Sequence, residues 1–280
     1  MCRYILQSQR MNYRFLLLLA IVCSVRVSLG QNTSNKADEP KAIAYDNGPS
    51  GQPSWDGDCN VPLPAFPQAP INIQNAQINP GLPIIQFSYS SIPLQYATNA
   101  NNVKVAVHGQ GGITLGTLGT YRLNEFHFHR PGEEAIGNHR PAMVIHMVHE
   151  KQGGSGEPLF AAIAILVEES SPSHPATPLA SALIDRLTRN FPPPLTPSSP
   201  VSINPRDLLP PNLATQASTY YRYKGSLTTP PCSGDVTFYV LKTPIYLPAA
   251  QIEEFARRYP SPNSRNIQET TARHELQEKP

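Results

Sequence analysis

Proline is the residue that most constrains how this chain can fold, with 31 copies in 280 residues. Its ring removes a backbone N–H donor and breaks helix interiors, so the chain must be rich in loops and strand edges and cannot be all helical. The apolar fraction of 40% is enough for a large core and excludes a fully disordered chain. The formal net charge of +2 is too small to indicate a nucleic-acid partner.

Short strand-like runs recur between the prolines, and two segments show helical periodicity. The strand-like runs are residues 84–89, 103–107, 121–130, 142–149, 159–167, 219–226 and 236–241. Apolar residues recur at helical spacing over 178–190 and 248–259. We therefore predict an α+β fold that is mostly β, with one large central sheet and peripheral helices.

The N-terminus has the features of a secretory signal peptide. Arg10 and Arg14 precede an apolar run over residues 15–25, and the small residues Ser28 and Gly30 suit a cleavage site after Gly30. The alternative is a membrane anchor, but the run has about half of the roughly 20 residues needed to span a bilayer. We expect a secreted protein without a membrane anchor.

Composition divides the chain further. Residues 1–30 are the predicted signal peptide, residues 31–42 are polar and expected to be disordered, and residues 43–270 carry the signals of a folded domain. Residues 271–280 are expected to be a polar tail, with no apolar stretch to serve as a lipid anchor. Asn32 begins an Asn-Thr-Ser sequon and is a candidate glycosylation site.

Two cysteines, Cys59 and Cys232, remain after the predicted cleavage. In an oxidising compartment an even pair is expected to form a disulfide. Two free thiols are the alternative.

Five of the eight histidines lie within 23 residues, and their spacing predicts a metal site. His127 and His129 are two apart on a predicted strand, so both side chains point to the same face. A turn then lets the chain double back and bring His146 beside them. Three imidazoles on adjacent strands suit a tetrahedral Zn²⁺ ion with one open position. We expect His139 to be a solvated loop residue, and His149 to face the other side of its strand as a buried structural residue.

Four stretches of the sequence together resemble the alpha-class carbonic anhydrases. They are Phe126–His129 with Glu133 and His146–His149, Gln68–Ile73, Gly225–Cys232, and Asn263–Gln268. The resemblance runs from about residue 45 to 268 and makes residues 43–270 the expected catalytic domain. It implies a large twisted, mainly antiparallel sheet with outer helices and a conical zinc cleft. Extracellular members often join cysteines placed like Cys59 and Cys232, which supports the disulfide.

The resemblance also implies a reaction, the reversible hydration of carbon dioxide to bicarbonate and a proton by zinc-bound hydroxide. The zinc ligands would be His127, His129 and His146. Thr228 would accept a hydrogen bond from the hydroxide and donate one to Glu133. Bicarbonate would meet Thr229 and the Thr228 amide, and an apolar wall for CO₂ would consist of Val148, Ala162, Leu227, Val236 and Phe238. The alternative is a weak or inactive relative that acts as an extracellular matrix or binding protein.

Three positions depart from the family pattern. Asn101 stands at the place of a proton-shuttling His, and Asn does not ionise near neutral pH. Val144 stands where many members have a Glu that accepts the outer N–H of the third ligand, here His146. Glu125 replaces a Gln that accepts the outer N–H of His127, and its charge leads us to expect a raised pKa for the zinc-bound water.

Overall fold

The computed structural model describes residues 43–280 with several internal gaps. The gaps are residues 63, 65, 96–103, 108–110, 154–158, 190–200 and 212–218. The predicted signal peptide, the polar stretch 31–42, the sequon at Asn32 and the predicted shuttle position Asn101 all lie outside the described residues.

The described residues form fifteen β-strands and two α-helices. The strands are β1 Asn72–Ile73, β2 Gln77–Ile78, β3 Gln86–Phe87, β4 Ile92–Pro93, β5 Lys104–Ala106, β6 Gly112–Thr114, β7 Thr120–His129, β8 Ala135–Ile136, β9 Met143–Lys151, β10 Phe160–Glu169, β11 Ser202–Ile203, β12 Tyr220–Gly225, β13 Val236–Leu241, β14 Ile245–Leu247 and β15 Gln277–Lys279. The helices are α1 Pro178–Arg189 and α2 Ala249–Arg258. Each strand-like run and each periodic segment of the sequence overlaps one of these elements.

Eleven of the strands within the described ranges form one large sheet. Its order is β2-β15-β12-β13-β10-β9-β7-β6-β3, with β14 beside β10 and β5 beside β7. β10 pairs parallel with β13 and β14, and β15 pairs parallel with β2. The long central pairs β7–β9 and β9–β10 are antiparallel, as are most of the others. This confirms the predicted large, mainly antiparallel sheet.

The two faces of the sheet carry two separate apolar layers. On one, which we call the helix face, Phe126 and Phe128 of β7 belong to the larger core together with residues of both helices. The other, the histidine face, has a smaller cluster that includes Val144 of β9 and Ala162 of β10. Because successive side chains of a strand alternate between faces, the histidines between and after the two phenylalanines are placed on the histidine face.

Both helices cover the helix face of the sheet. Leu183 and Leu187 of α1 and Phe255 of α2 are buried there, and the rings of Phe255 and Phe128 lie 5.9 Å apart. In the described part of the chain, this packing leaves the opposite face of the sheet free of α-helices and open to the loops that complete the site. Neither α1 nor α2, among the segments described, has the length and apolar composition needed to cross a bilayer.

The last ten residues differ from the expected polar tail. Strand β15 lies within the sheet, antiparallel to β12 and parallel to β2. The ammonium group of Lys279 is buried and donates to the backbone oxygens of Leu82 at 2.8 Å and Pro80 at 3.2 Å. Backbone pairing and the hydrogen bonds of Lys279 hold this strand in place. It therefore does not need the alternating apolar residues that would have predicted a strand from the sequence.

A disulfide joins Cys59 to Cys232, with their Cα atoms 4.9 Å apart, which confirms the predicted pairing. It ties the N-terminal segment to the loop that follows β12. Gly57 lies in the same contact with a φ of +76°, and a Cβ at this position would lie 2.3 Å from the backbone oxygen of Pro231. Glycine is therefore required where these two loops meet.

Candidate metal centre

His127, His129 and His146 converge on the histidine face of the sheet. β7 and β9 are neighbours, and their register places His127 directly opposite His146. The ring centroids lie 4.8 to 5.5 Å apart, and one nitrogen of each ring lies within 4.8 Å of the others. His129 and His146 are buried, and His127 is the most exposed of the three. The strand periodicity therefore brings together the three residues that the sequence predicts as ligands.

In each of the three rings, the outer nitrogen, which points away from the other two rings, contacts an acceptor oxygen outside the cluster. These contacts are His127 Nδ1 to Glu125 Oε1 at 2.9 Å, His129 Nδ1 to the Asn263 backbone oxygen at 2.7 Å, and His146 Nε2 to Glu134 Oε1 at 3.0 Å. Carbonyl and carboxylate oxygens only accept, so each of these nitrogens carries the ring proton. The lone pairs of Nε2, Nε2 and Nδ1 then face the centre of the cluster.

The cluster has the properties of a divalent-metal site. The buried Nε2 of His129 has no hydrogen-bond partner among the residues that the structure describes. Three neutral imidazole nitrogens are the donor set of catalytic Zn²⁺ sites that keep one open position. Burial lowers the pKa of His127 and places that of His129 well below 6.5, so both rings are neutral at pH 7.

Burial also disfavours the charged form of His146, but its pKa is raised because the carboxylates of Glu134 and Glu133 outweigh that effect. A divalent cation at the cluster would displace the second proton from the Nδ1 atom of this ring. All three rings can therefore present an unprotonated nitrogen to a metal ion.

Glu133 lies at the edge of the cluster and is fully buried. Its Oε2 atom is 3.4 Å from His129 Nε2, and its Oε1 atom accepts the backbone N–H of Arg265 at 2.8 Å. The side chain also shares a hydrogen bond with Thr228. Burial raises the pKa of Glu133 to about 7, although His146, Arg265 and Thr228 act in the opposite direction. The pair that the sequence predicts, Thr228 with Glu133, is thus formed beside the three rings.

Four of the five predicted apolar wall residues lie together on the histidine face. Val148 of β9 is the cross-strand neighbour of Ala162 in β10, and Ala162 is the neighbour of Phe238 in β13. Val236 is two residues before Phe238 and belongs to the same apolar cluster. The Phe238 ring lies 5.7 Å from that of His146. The fifth predicted residue, Leu227, is 40% exposed in the loop that carries Thr228.

Glu125 accepts from His127 as the sequence predicts, and it has a second partner. The ammonium group of Lys104 lies 3.6 Å from the same Oε1 atom. Burial raises the pKa of Glu125, but His127 and Lys104 outweigh it and lower the pKa to about 2. The carboxylate is therefore ionised, and the sequence pattern gives no sign of the cation beside it.

The contact made by Glu134 is not apparent from the sequence. Taken alone, Glu133 and Glu134 suggest solvated charges in a turn, but both are fully buried. Val144 is buried in the apolar cluster of the histidine face. The carboxylate that contacts the outer nitrogen of His146 belongs instead to Glu134. The adjacency of two acids between buried strands is the one sequence signal that could have indicated this.

The other two histidines between residues 127 and 149 lie away from the three predicted ligands. His139 is exposed and its Nε2 atom is 2.7 Å from Glu168. His149 is buried, with Nδ1 3.1 Å from the Ala161 backbone oxygen and Nε2 2.8 Å from the Tyr89 hydroxyl. Both placements agree with the sequence prediction.

Comparison with known proteins shows which family has this fold. The family model described as eukaryotic-type carbonic anhydrase matches residues 50–277. The chain belongs to this family. Family members named carbonic anhydrase are lyases, so the prediction of a carbonic anhydrase-type enzyme is confirmed at the level of the family.

Relatives and solved structures support the assignment. A carbonic anhydrase of Neisseria gonorrhoeae is 34% identical over 211 residues, which cover 74% of this chain and 75% of the relative. The alpha-carbonic anhydrase of Thermovibrio ammonificans, solved with the inhibitor sulfanilamide, has a TM-score of 0.69 at 26% identity, covering 85% of this chain and 98% of that one. Carbonic anhydrase Cah3 of Chlamydomonas reinhardtii, solved with acetazolamide, has a TM-score of 0.70 at 27% identity, covering 85% and 100%.

Proposed function

We propose that this protein is a secreted zinc enzyme that interconverts carbon dioxide and bicarbonate. The observation that carries the proposal is the convergence of three imidazole nitrogens beside the Thr228–Glu133 pair. Zn²⁺ held by His127, His129 and His146 would supply a nucleophile at neutral pH, because it lowers the pKa of bound water to about 7.

Thr228 and Glu133 would orient that nucleophile. A divalent cation held by the three histidines would favour the ionised form of Glu133. An ionised carboxylate only accepts hydrogen bonds, so the shared proton would come from the hydroxyl of Thr228. The oxygen of Thr228 is then left to accept from a protonated group above the three rings. This fixes the direction of the attacking lone pair, which is the kind of orientation that gives large rate gains.

The substrate would lie against the apolar wall. Val148, Ala162, Val236 and Phe238 offer no hydrogen-bonding side chains, which suits a small apolar molecule such as CO₂. Thr229 and the backbone amide of Thr228 are the polar groups proposed to meet the oxygens of bicarbonate. Since Asn101 cannot relay a proton, we propose that proton export to buffer limits turnover.

Secretion is supported by the signal-like residues 1–30 and by the disulfide. Disulfides form and persist in oxidising compartments and are rare in the cytosol. The Cys59–Cys232 bond therefore favours an extracellular location, and Asn32 would be a site of glycosylation there.

The test is zinc stoichiometry together with stopped-flow CO₂ hydration on the purified mature chain. We expect one zinc ion per chain and hydration that is inhibited by sulfanilamide. His146→Ala should lose both zinc and activity, whereas Thr228→Ala should keep zinc and lose most of the rate. Stoichiometric zinc without any hydration would instead support the inactive binding relative.

A further inference from the structure

We propose that Glu134 is the positioning residue for His146, replacing the carboxylate that many family members have at the position of Val144. The inference rests on the proposed zinc site and adds a residue to it. Both carboxylate oxygens of Glu134 lie near the outer nitrogen of His146, at 3.0 and 3.2 Å from Nε2. A carboxylate in this position holds the ring proton on Nε2 and leaves the Nδ1 lone pair for a metal.

The location of Glu134 makes this contact possible from outside the strands. The residue directly precedes β8, a short strand that pairs parallel with β1 and lies outside the large sheet. Its side chain thus reaches His146 from the loop before β8, whereas a carboxylate at position 144 would reach it along β9. The contact spans 12 residues in the sequence and depends on the fold.

A second hydrogen bond fixes the carboxylate itself. The hydroxyl of Tyr223 donates to Oε1 of Glu134 at 3.2 Å. The Tyr223 ring is stacked on Phe238, with centroids 4.7 Å apart and an interplanar angle of 3°. Phe238 in turn lies against His146. Glu134 is therefore held between a ligand ring and a rigid aromatic pair.

Val144 shows why the carboxylate is supplied from elsewhere. Its side chain is fully buried and belongs to the same apolar cluster as Tyr223 and Phe238. It is two residues before His146, so it lies on the same face of β9. Val144 thus offers no carboxylate to His146, and the buried Glu134 supplies one instead.

The experiment compares zinc affinity in the variants E134Q, E134A and E134A/V144E with that of the wild-type protein. Affinity is measured by chelator competition, and the visible spectrum of the Co²⁺-substituted protein reports ligand geometry independently of activity. E168Q is the matched control, because Glu168 contacts the outer nitrogen of the exposed His139 away from the cluster.

We expect E134A to weaken zinc binding by roughly 10- to 100-fold and to change the Co²⁺ spectrum. E134Q keeps the volume and one acceptor oxygen, so it should fold even if E134A does not, and it should lose affinity to a smaller degree. V144E should restore a tenfold or larger part of the affinity lost in E134A. E168Q should match the wild type.

Wild-type zinc affinity and an unchanged Co²⁺ spectrum in E134A and E134Q would overturn the role of Glu134 while leaving the proposed function intact. A double variant that binds zinc no better than E134A would assign the loss to packing around position 134 and overturn the role as well. A wild-type protein that binds no zinc would overturn the proposed function, and this inference with it.

Discussion

The buried histidine on the helix face makes the stability of this protein depend on pH in a way that one substitution can remove. His149 is fully buried and neutral, with one nitrogen donating to the Ala161 oxygen and the other accepting from the Tyr89 hydroxyl. Burial lowers its pKa to about 4, from an unperturbed value of 6.5. The unfolded chain therefore binds a proton at this residue over a pH range where the folded chain does not.

The sign and magnitude of this pH dependence follow from the difference between the folded and unfolded pKa values of His149. A base whose folded pKa is lowered contributes full stability above its unfolded pKa and loses it as the pH falls through the window between about 6.5 and about 4. A difference of about 2.5 pKa units corresponds to about 3 kcal/mol in total. Most of this free energy of unfolding should be lost between about pH 7.5 and about pH 4.5.

The perturbation is His149→Gln, since glutamine offers one donor and one acceptor and does not titrate. Urea unfolding of the wild type and the variant is measured at several pH values, with a chelator present so that metal binding does not contribute. We expect the wild type to lose about 2.5 kcal/mol more stability than the variant on acidification over this window. Parallel pH dependences for the two proteins would refute the reasoning.

Further predictions concern the disulfide and the charge beside His127. The double variant Cys59→Ala/Cys232→Ala should lower the free energy of unfolding by about 5 kcal/mol in the chain-entropy model, because the bond closes a separation of 173 residues. Urea unfolding of the oxidised wild type and of the variant measures this difference. Lys104→Met should raise the midpoint of the pH–rate profile of CO₂ hydration by roughly 0.5 pH unit, and Glu125→Gln should lower it by a similar amount. Midpoints that move in the opposite directions would contradict the charge argument.

The sequence was sufficient to predict the three ligands because strand geometry is periodic. His127 and His129 flank Phe128, and the alternation that buries the phenylalanine in the larger core directs both imidazoles to the other face. The turn residues after β7 then require an antiparallel return, which places His146 opposite His127. Local rules therefore determine this part of the site almost completely.

The missed features depend on contacts that no local rule describes. Glu134 lies in the loop before β8, and its burial against His146 requires β9 and Tyr223 of β12 to be in place. Lys279 is polar, yet backbone oxygens of Pro80 and Leu82 capture its ammonium group almost two hundred residues away. In both cases a charged side chain that reads as solvated is buried because distant partners satisfy it.

Lys104 changes what the charge of Glu125 means for the metal centre. Considered alone, an ionised carboxylate on the outer nitrogen of His127 donates electron density toward the metal and should raise the pKa of a bound water. The ammonium group 3.6 Å from the same oxygen places a compensating positive charge there, so the pair carries almost no net charge at a distance. Among the described residues, no lysine or arginine forms a direct ion pair with Glu134. Arg140 interacts with it only electrostatically, and the Glu134 carboxylate accepts from the neutral hydroxyl of Tyr223. The negative charge that a bound metal would experience through its ligands would therefore come mainly through His146. Neutralising Glu134 should then perturb the centre more than neutralising Glu125.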